Sequence, residues 1–98
     1  MMKRTEIDKL ILQQLSRLKE DGLIESGISL TVDMIVLGLD SPIDSITFVT
    51  LISELELQIQ EITGQEFAFI LQDLHNLNEG HVELRVKQVA EYIERTLS

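Results

Sequence analysis

The sequence predicts a small all-α domain: a four-helix bundle with a long loop between its first and second helices and a short third helix. Its 98 residues are 44% hydrophobic, which suits one compact core but falls below the length that two domains usually need. Three phenylalanines, one tyrosine, one proline and no tryptophan favour helices over a sandwich or barrel. We therefore treat residues 1–98 as a single domain.

The first helix is expected over residues 5–19 and should end near Asp21 and Gly22. Its apolar residues recur at helical spacing: Ile7, Leu10, Ile11, Leu15 and Leu18. Thr5 and Asp8, three residues apart, resemble a capping box at its start. Residues 23–42 combine glycines and a proline with the apolar run 34–37, which predicts a long loop pinned down by buried side chains. A connection of that length in so small a domain usually has a function.

The second helix is expected to begin at Ser45. Pro42 disfavours helical backbone at Ser41, and the Asp44 carboxylate can cap the free N–H groups of a helix that starts after it. Apolar residues then recur at intervals of four and three: Phe48, Ile52, Leu55, Ile59 and Ile62. Thr63 and Gly64 should end this helix.

Two shorter helical patterns follow. The first is expected to be a short third helix, although the run 67–71 could also be extended; its apolar residues are Phe67, Ile70, Leu71, Leu74 and Leu77. Asn76, Asn78 and Gly80 mark a turn. A last amphipathic helix then carries Val82, Val86, Val89, Ala90, Ile93 and Leu97.

The charge is unevenly distributed. The net charge is -9, and every lysine and arginine lies within residues 3–19 or 85–95. The uncompensated negative field of residues 20–83 argues against nucleic acid or stable membrane binding and favours partners with basic patches. It also argues for a monomer. Plain solubility is the alternative explanation of the charge.

Two features that the sequence lacks restrict the chemistry and the location that we expect for the protein. The sequence has no cysteine, so any thiol chemistry would need an imported thiol. The N-terminal stretch MMKRTEIDKL lacks the apolar region of a signal peptide, and no apolar span reaches 18 residues. We expect a cytoplasmic protein.

Ser45 is the candidate site. A hydroxyl on the first residue of a helix is well placed to carry a phosphate ester, because the exposed N–H groups and the helix dipole favour an added anion. An ordinary helix start is the alternative explanation of a lone Asp-Ser pair.

The wider motif favours the phosphate ester. The stretch DSITFVTLISELE resembles the signature of acyl carrier proteins, and the matching residues are Asp44, Ser45, Ile46, Val49, Leu51, Ile52, Leu55 and Glu56. LGLD at 37–40 resembles the family's loop before the serine, but aligning on it would select Ser41 and place Pro42 at a hydrophobic position. Ser45 keeps the register. VKQVAEYIERTL resembles the family's final helix, so the resemblance spans roughly residues 5–97 and is weakest over 66–83.

The resemblance implies a carrier that is not an enzyme. A phosphopantetheinyl transferase, using coenzyme A and a magnesium ion, would attach 4'-phosphopantetheine to Ser45, and the arm would hold an acyl group as a thioester for enzymes of fatty acid, polyketide or related lipid synthesis. Asp44 would cap the helix and orient the serine, and Ile46 would offer an apolar contact beside it. Acyl-loading and acyl-processing enzymes with basic docking patches would meet Glu54, Glu56 and Glu61.

Other residues leave the cargo and the pathway open. Thr47 and Thr50 stand where carriers of fatty acid synthesis often have acids. Phe48 and Val49 would pack or line a route for the acyl chain. Phe67 and Phe69 could line a space between the second and third helices, although aromatic residues at this spacing more often belong to the core.

Three other functions compete with the carrier. Ser45, Asp73 and either His75 or His81 could supply a hydrolytic triad, but no nucleophile-elbow motif surrounds the serine. Asp40 and Asp44 could gather a calcium ion, but the loop lacks the ligand pattern of an EF-hand. The strongest alternative is a cofactor-free helical interaction module whose exposed second helix docks on a partner.

Overall fold

The computed structural model describes residues 2–38, 41–70, 72 and 83–97. These residues form three helices and a small antiparallel sheet, in the order α1 (Arg4–Glu20), β1 (Ile35–Leu37), α2 (Ser45–Thr63), β2 (Leu84–Arg85) and α3 (Val86–Leu97). The protein is small and mostly helical, as predicted. The two-stranded sheet is a departure from the all-α class.

The first helix begins slightly earlier than predicted. Lys3 is its N-cap residue, and the Lys3 backbone N–H donates a hydrogen bond of 3.1 Å to the Glu6 carboxylate. The predicted capping box of Thr5 and Asp8 is therefore wrong, because Thr5 already lies inside the first turn. The Asp8 carboxylate instead pairs with Arg4 at 3.1 Å. The helix ends at Asp21, close to the predicted position.

The bounds of α2 match the prediction at both ends. The Asp44 carboxylate accepts the backbone N–H of Thr47 at 2.7 Å, so Asp44 caps the helix and Ser45 is its first residue. Gly64 ends the helix in the left-handed region at φ 70°, and its N–H donates to the Gln60 carbonyl. Glycine reaches that conformation without the steric penalty of a Cβ atom.

The long loop between α1 and α2 contains β1. This strand pairs with β2, with Ile35 opposite Arg85 and Leu37 opposite Leu84. Next to the sheet, the N–H groups of Val86 and Lys87 donate to the carbonyls of Met34 (3.1 Å) and Val32 (2.9 Å). The first N–H groups of a helix have no partner within it, so the loop supplies partners for the start of α3.

The expected third helix does not begin at Phe67. Residues 66–70 lie outside helix and strand. Two hydrogen bonds tie this segment to α2 and α3: the backbone N–H of Phe69 donates to the Glu56 carboxylate (2.9 Å), and that of Ile70 donates to the Tyr92 hydroxyl (3.1 Å). Beyond Ile70, only Gln72 of this predicted helix is among the described residues. Val82, predicted on the last helix, also falls outside them.

The core lies between the three helices, and α1 packs against both α2 and α3. The buried hydrophobic side chains form one cluster. Its fully buried large members on the helices are Ile7, Ile11, Leu15, Leu51, Leu55, Ile59, Val86, Val89 and Ile93. Ile62, predicted on the apolar stripe of α2, is instead exposed at the end of the helix. None of the helices in the described part of the chain is long and apolar enough to cross a membrane.

Candidate functional site

Ser45 lies at the open end of α2. It is exposed, and among the described residues its hydroxyl has no hydrogen-bond partner. As the first residue of the helix it has no preceding helical turn to cover it. The hydroxyl oxygen is therefore accessible to a large reagent or enzyme.

Ser41 lies in a different environment. Its hydroxyl donates to the carbonyl of Ile35 at 3.1 Å and accepts the backbone N–H of Ile43 at 3.2 Å. The first bond joins the end of the loop to β1, and the second closes the turn that leads to Asp44. Modification of the Ser41 hydroxyl would break the first bond and crowd the second, so this serine has a structural role.

Asp44 fixes where α2 begins and therefore where Ser45 is presented. The hydrogen bond from the Thr47 backbone N–H, followed by the hydrogen bond from the Thr47 hydroxyl, lowers the pKa of the Asp44 carboxyl below its ordinary value. Desolvation opposes this shift and the Ile46 N–H adds a smaller lowering effect. The cap is thus an ionised carboxylate at neutral pH, at the positive end of the helix dipole.

Apolar side chains continue outward from Ser45 along α2. Ile46 is 77% exposed, and Val49 and Leu57 are also exposed. Helical spacing of three or four residues, and multiples of it, places these side chains on one outward face together with Ser53. Phe48, by contrast, is buried in the core. Of the two residues expected to pack or to line an acyl route, Phe48 packs and Val49 faces solvent.

The three glutamates expected to contact partners do not share one environment. Glu54 and Glu61 are exposed on α2. Glu56 is half-buried, and its carboxylate accepts the Phe69 N–H. Its neighbours at helical spacing, Ile52 and Ile59, are both buried, a sequence signal that places Glu56 beside the core. The structure brings Glu56 to the segment 66–70 and leaves Glu54 and Glu61 outward.

Aromatic rings occupy the region beside α2 and α3. Phe67 is buried, with its ring centroid 4.9 Å from that of Phe69 in an edge-to-face contact. Phe69 stacks on Tyr92 at 5.4 Å. The carbonyl of Phe67 also accepts a hydrogen bond of 2.8 Å from the Gln60 side chain. Phe67 therefore belongs to the core, and Phe69 is a half-buried neighbour packed against it.

The residues of the competing sites are mostly outside the described part of the chain. Asp73, His75 and His81 of the possible triad lie there, as does Asp40 of the possible calcium site. Among the residues that the structure describes, no three His, Cys, Asp or Glu side chains gather as metal ligands would.

Gln14 is a residue that the sequence reasoning missed. It lies on α1, four residues after Leu10 and four before Leu18, and is 5% exposed among these apolar neighbours. A polar residue on the apolar stripe of an amphipathic helix is the signal that could have revealed it.

The geometry at the start of α2 thus combines an exposed serine that has no hydrogen-bond partner among the described residues, an ionised cap and an outward apolar row. Compared with protein-family models, curated proteins and solved structures, the chain matches none of them.

Proposed function

We propose that the protein is an acyl carrier, which holds an acyl group as a thioester on a 4'-phosphopantetheine arm attached to Ser45. The difference between the two serines is the observation that carries this proposal. The Ser45 hydroxyl is exposed and unbonded among the described residues, whereas the Ser41 hydroxyl has two backbone partners. The motif around Ser45 supports the same choice.

The proposed attachment uses few groups of this chain. The Ser45 oxygen would attack the phosphorus of coenzyme A that bears the pantetheine, the hydroxyl proton would pass to a base of the transferase, and adenosine 3',5'-bisphosphate would leave. One P–O bond forms and one breaks. Asp44 holds the helix start in place during this exchange, and the N-terminal end of α2 favours the anionic diester that results. When attached, the arm supplies a thiol, which this cysteine-free chain lacks.

The proposal extends to the fold and to the partners. The proposed fold is a four-helix bundle of acyl-carrier type, in which α1, the long loop, α2 and α3 would be the first helix, the loop, the second helix and the last helix. The partners would be a phosphopantetheinyl transferase and acyl-loading and acyl-processing enzymes. Exposed Glu54 and Glu61, in a stretch that has no cation from residue 20 to residue 83, favour partners with basic patches.

The direct test is the intact mass of the protein before and after incubation with coenzyme A, Mg²⁺ and a broad-specificity phosphopantetheinyl transferase. Wild type and Ser41→Ala should each gain one phosphopantetheine group, and Ser45→Ala should gain none. The Ser41→Ala variant is a matched control, since it also replaces a serine that follows an aspartate. If only Ser41→Ala failed to gain mass, the attachment site would be Ser41 instead of Ser45.

A cofactor-free interaction module is a second candidate, favoured by the outward row of Ile46, Val49 and Leu57. Exposed apolar side chains that share a helix face often mark a docking surface. In this case wild type would gain no mass in the transferase assay. That single outcome would replace the carrier proposal with this one.

A further inference from the structure

A cleft of about 240 Å³ lies between the C-terminal half of α1 and the middle of α2. Its polar lining comes from both helices and from the residues just after α1. These polar residues are Gln14, Arg17, Asp21, Thr50 and Glu54. The cleft does not include Ser45, but it includes Glu54, so a cation that a partner protein supplies there would rest on the proposed carrier function.

Gln14 is the most buried polar residue that lines this cleft. The residue is 5% exposed, and among the described residues its amide has no hydrogen-bond partner. Yet every fully buried side-chain nitrogen or oxygen of the described residues has a hydrogen-bond partner. The Gln14 amide therefore keeps some exposure to solvent, and Gln14 is one of the residues that line the cleft. A nearly buried amide usually has hydrogen-bond partners, so this one is available to a ligand.

The charges around the amide favour a cation. Asp21 and Glu54 contribute two carboxylates to the lining and Arg17 contributes one guanidinium. Asp21 is also the C-cap of α1, where the helix dipole adds partial negative charge. Arg17 is exposed, and its long side chain can keep its charge in water.

Leucines form the apolar part of the cleft. Leu18 and Leu51 are buried beneath it, and Leu23 is 51% exposed at its lining. An apolar stem lying on these side chains would cover the exposed surface of Leu23, which is favourable by roughly 25 cal/mol for each Å² removed from water.

We infer that this cleft binds an alkyl cation, a guanidinium or ammonium head on a short aliphatic stem. The stem lies on the leucines. The head lies between the carboxylates of Glu54 and Asp21 and donates a hydrogen bond to the Gln14 side-chain oxygen. Such a group is carried by arginine and lysine side chains of a partner protein and also by small free amines.

The test is an NMR titration of ¹⁵N-labelled protein, observed at the side-chain NH₂ signals of Gln14. The probes are n-butylguanidinium and n-butylammonium, with n-butyrate and n-butanol as controls. Both cations should shift the Gln14 signals saturably, and butyrate should not. Absence of a saturable shift with either cation, or an equal shift with butyrate, would overturn the inference.

Two variants locate the binding. Glu54→Gln, at an exposed position that should tolerate the change, should weaken cation binding at least threefold. Glu66→Gln is the matched control, because Glu66 is exposed and outside the cleft, and it should bind as wild type does. Equal weakening by both variants would mean general charge attraction and would overturn the site.

A further arm distinguishes the two sources of the cation. A glycine-rich peptide with one central arginine is titrated in place of the small cations. Saturable shifts of the Gln14 signals by the peptide assign the cleft to a partner's side chain. Binding of the small cations with exclusion of the peptide assigns it to a free amine.

Discussion

The two halves of α2 are used differently by the rest of the chain. In the second half, Glu56 accepts the Phe69 N–H, Gln60 donates to the Phe67 carbonyl, and the Thr63 hydroxyl accepts the Gln65 N–H. In the first half, Ser45 and Ile46 extend into solvent. Both halves of the helix pack apolar side chains into the core, but the second half also holds residues 65–69 through hydrogen bonds, whereas Ser45 and Ile46 remain available to other molecules.

The largest expected contrast is between a ring held by the second half and a side chain on the first. Phe67→Ala should lower the free energy of unfolding by about 3 to 5 kcal/mol, because it removes a buried ring and leaves a cavity. Ile46→Ala should change it by less than about 0.5 kcal/mol, since Ile46 is exposed. Urea denaturation measures both. Similar losses in the two variants would mean that the Ile46 side chain is packed against the fold instead of facing solvent.

The next contrast is between the two serines that precede and open α2. Ser41→Ala should cost about 1 to 2 kcal/mol, because the Ile35 carbonyl and the Ile43 N–H each lose a partner. Ser45→Ala should cost less than about 0.5 kcal/mol. In the transferase assay the order should reverse: Ser45→Ala should gain no mass, and Ser41→Ala should gain mass as wild type does. A Ser45→Ala loss as large as that of Ser41→Ala would show that the Ser45 hydroxyl supports the fold.

A smaller contrast separates the glutamates of α2. Glu56→Ala should lower stability by about 1 kcal/mol, because the half-buried Phe69 N–H loses its acceptor. Glu61→Ala, at an exposed position of the same helix, should lie within about 0.5 kcal/mol of wild type. Equal effects in denaturant melts would contradict the fastening of the second half through Glu56.

The smallest expected effect concerns acid and the cap of the first half. The pKa of Asp44 is lowered in the folded protein, mainly by the hydrogen bond from the Thr47 N–H. The ionised carboxylate therefore stabilises the fold fully above the unfolded pKa of about 3.9, and this stabilisation is lost as the pH falls through the folded pKa. Wild type should therefore exceed Asp44→Ala in melting temperature at pH 7, and the gap should shrink below about pH 4.

Asparagine provides the control for this titration, because it caps helices about as well as aspartate and does not ionise. The gap in melting temperature between Asp44→Asn and Asp44→Ala should stay constant over the same pH range. A wild-type gap that also stays constant would mean that the ionised carboxylate does not stabilise α2.

The parts of the fold that depend on local chemistry could be predicted from the sequence. Helical spacing, the Asp44 cap and the terminal Gly64 were sufficient to place both ends of α2, and with them Ser45. The sheet was missed because strands of three and two residues are too short for an alternating pattern. The start of α1 was misplaced because Thr5 and Asp8 match a capping pattern that Glu6 fulfils with the Lys3 backbone.

The site was predictable to a similar limit. The position of Ser45 follows from local residues, whereas the role of Ser41 depends on the Ile35 carbonyl, which only the folded loop brings within reach. The position of Glu56 beside the core could have been inferred from its spacing to Ile52 and Ile59. The cleft at Gln14 could not, since it requires the packing of α1 against α2.

The pairing of the loop with the start of α3 also has a consequence during synthesis. Ile35 pairs with Arg85, fifty residues later, and the N–H groups of Val86 and Lys87 reach the carbonyls of Met34 and Val32. A ribosome makes the N-terminal residues first, so the loop before Ser45 cannot form these contacts until residues 84–87 have been made. Ser45 therefore reaches its final setting only after these residues have been made.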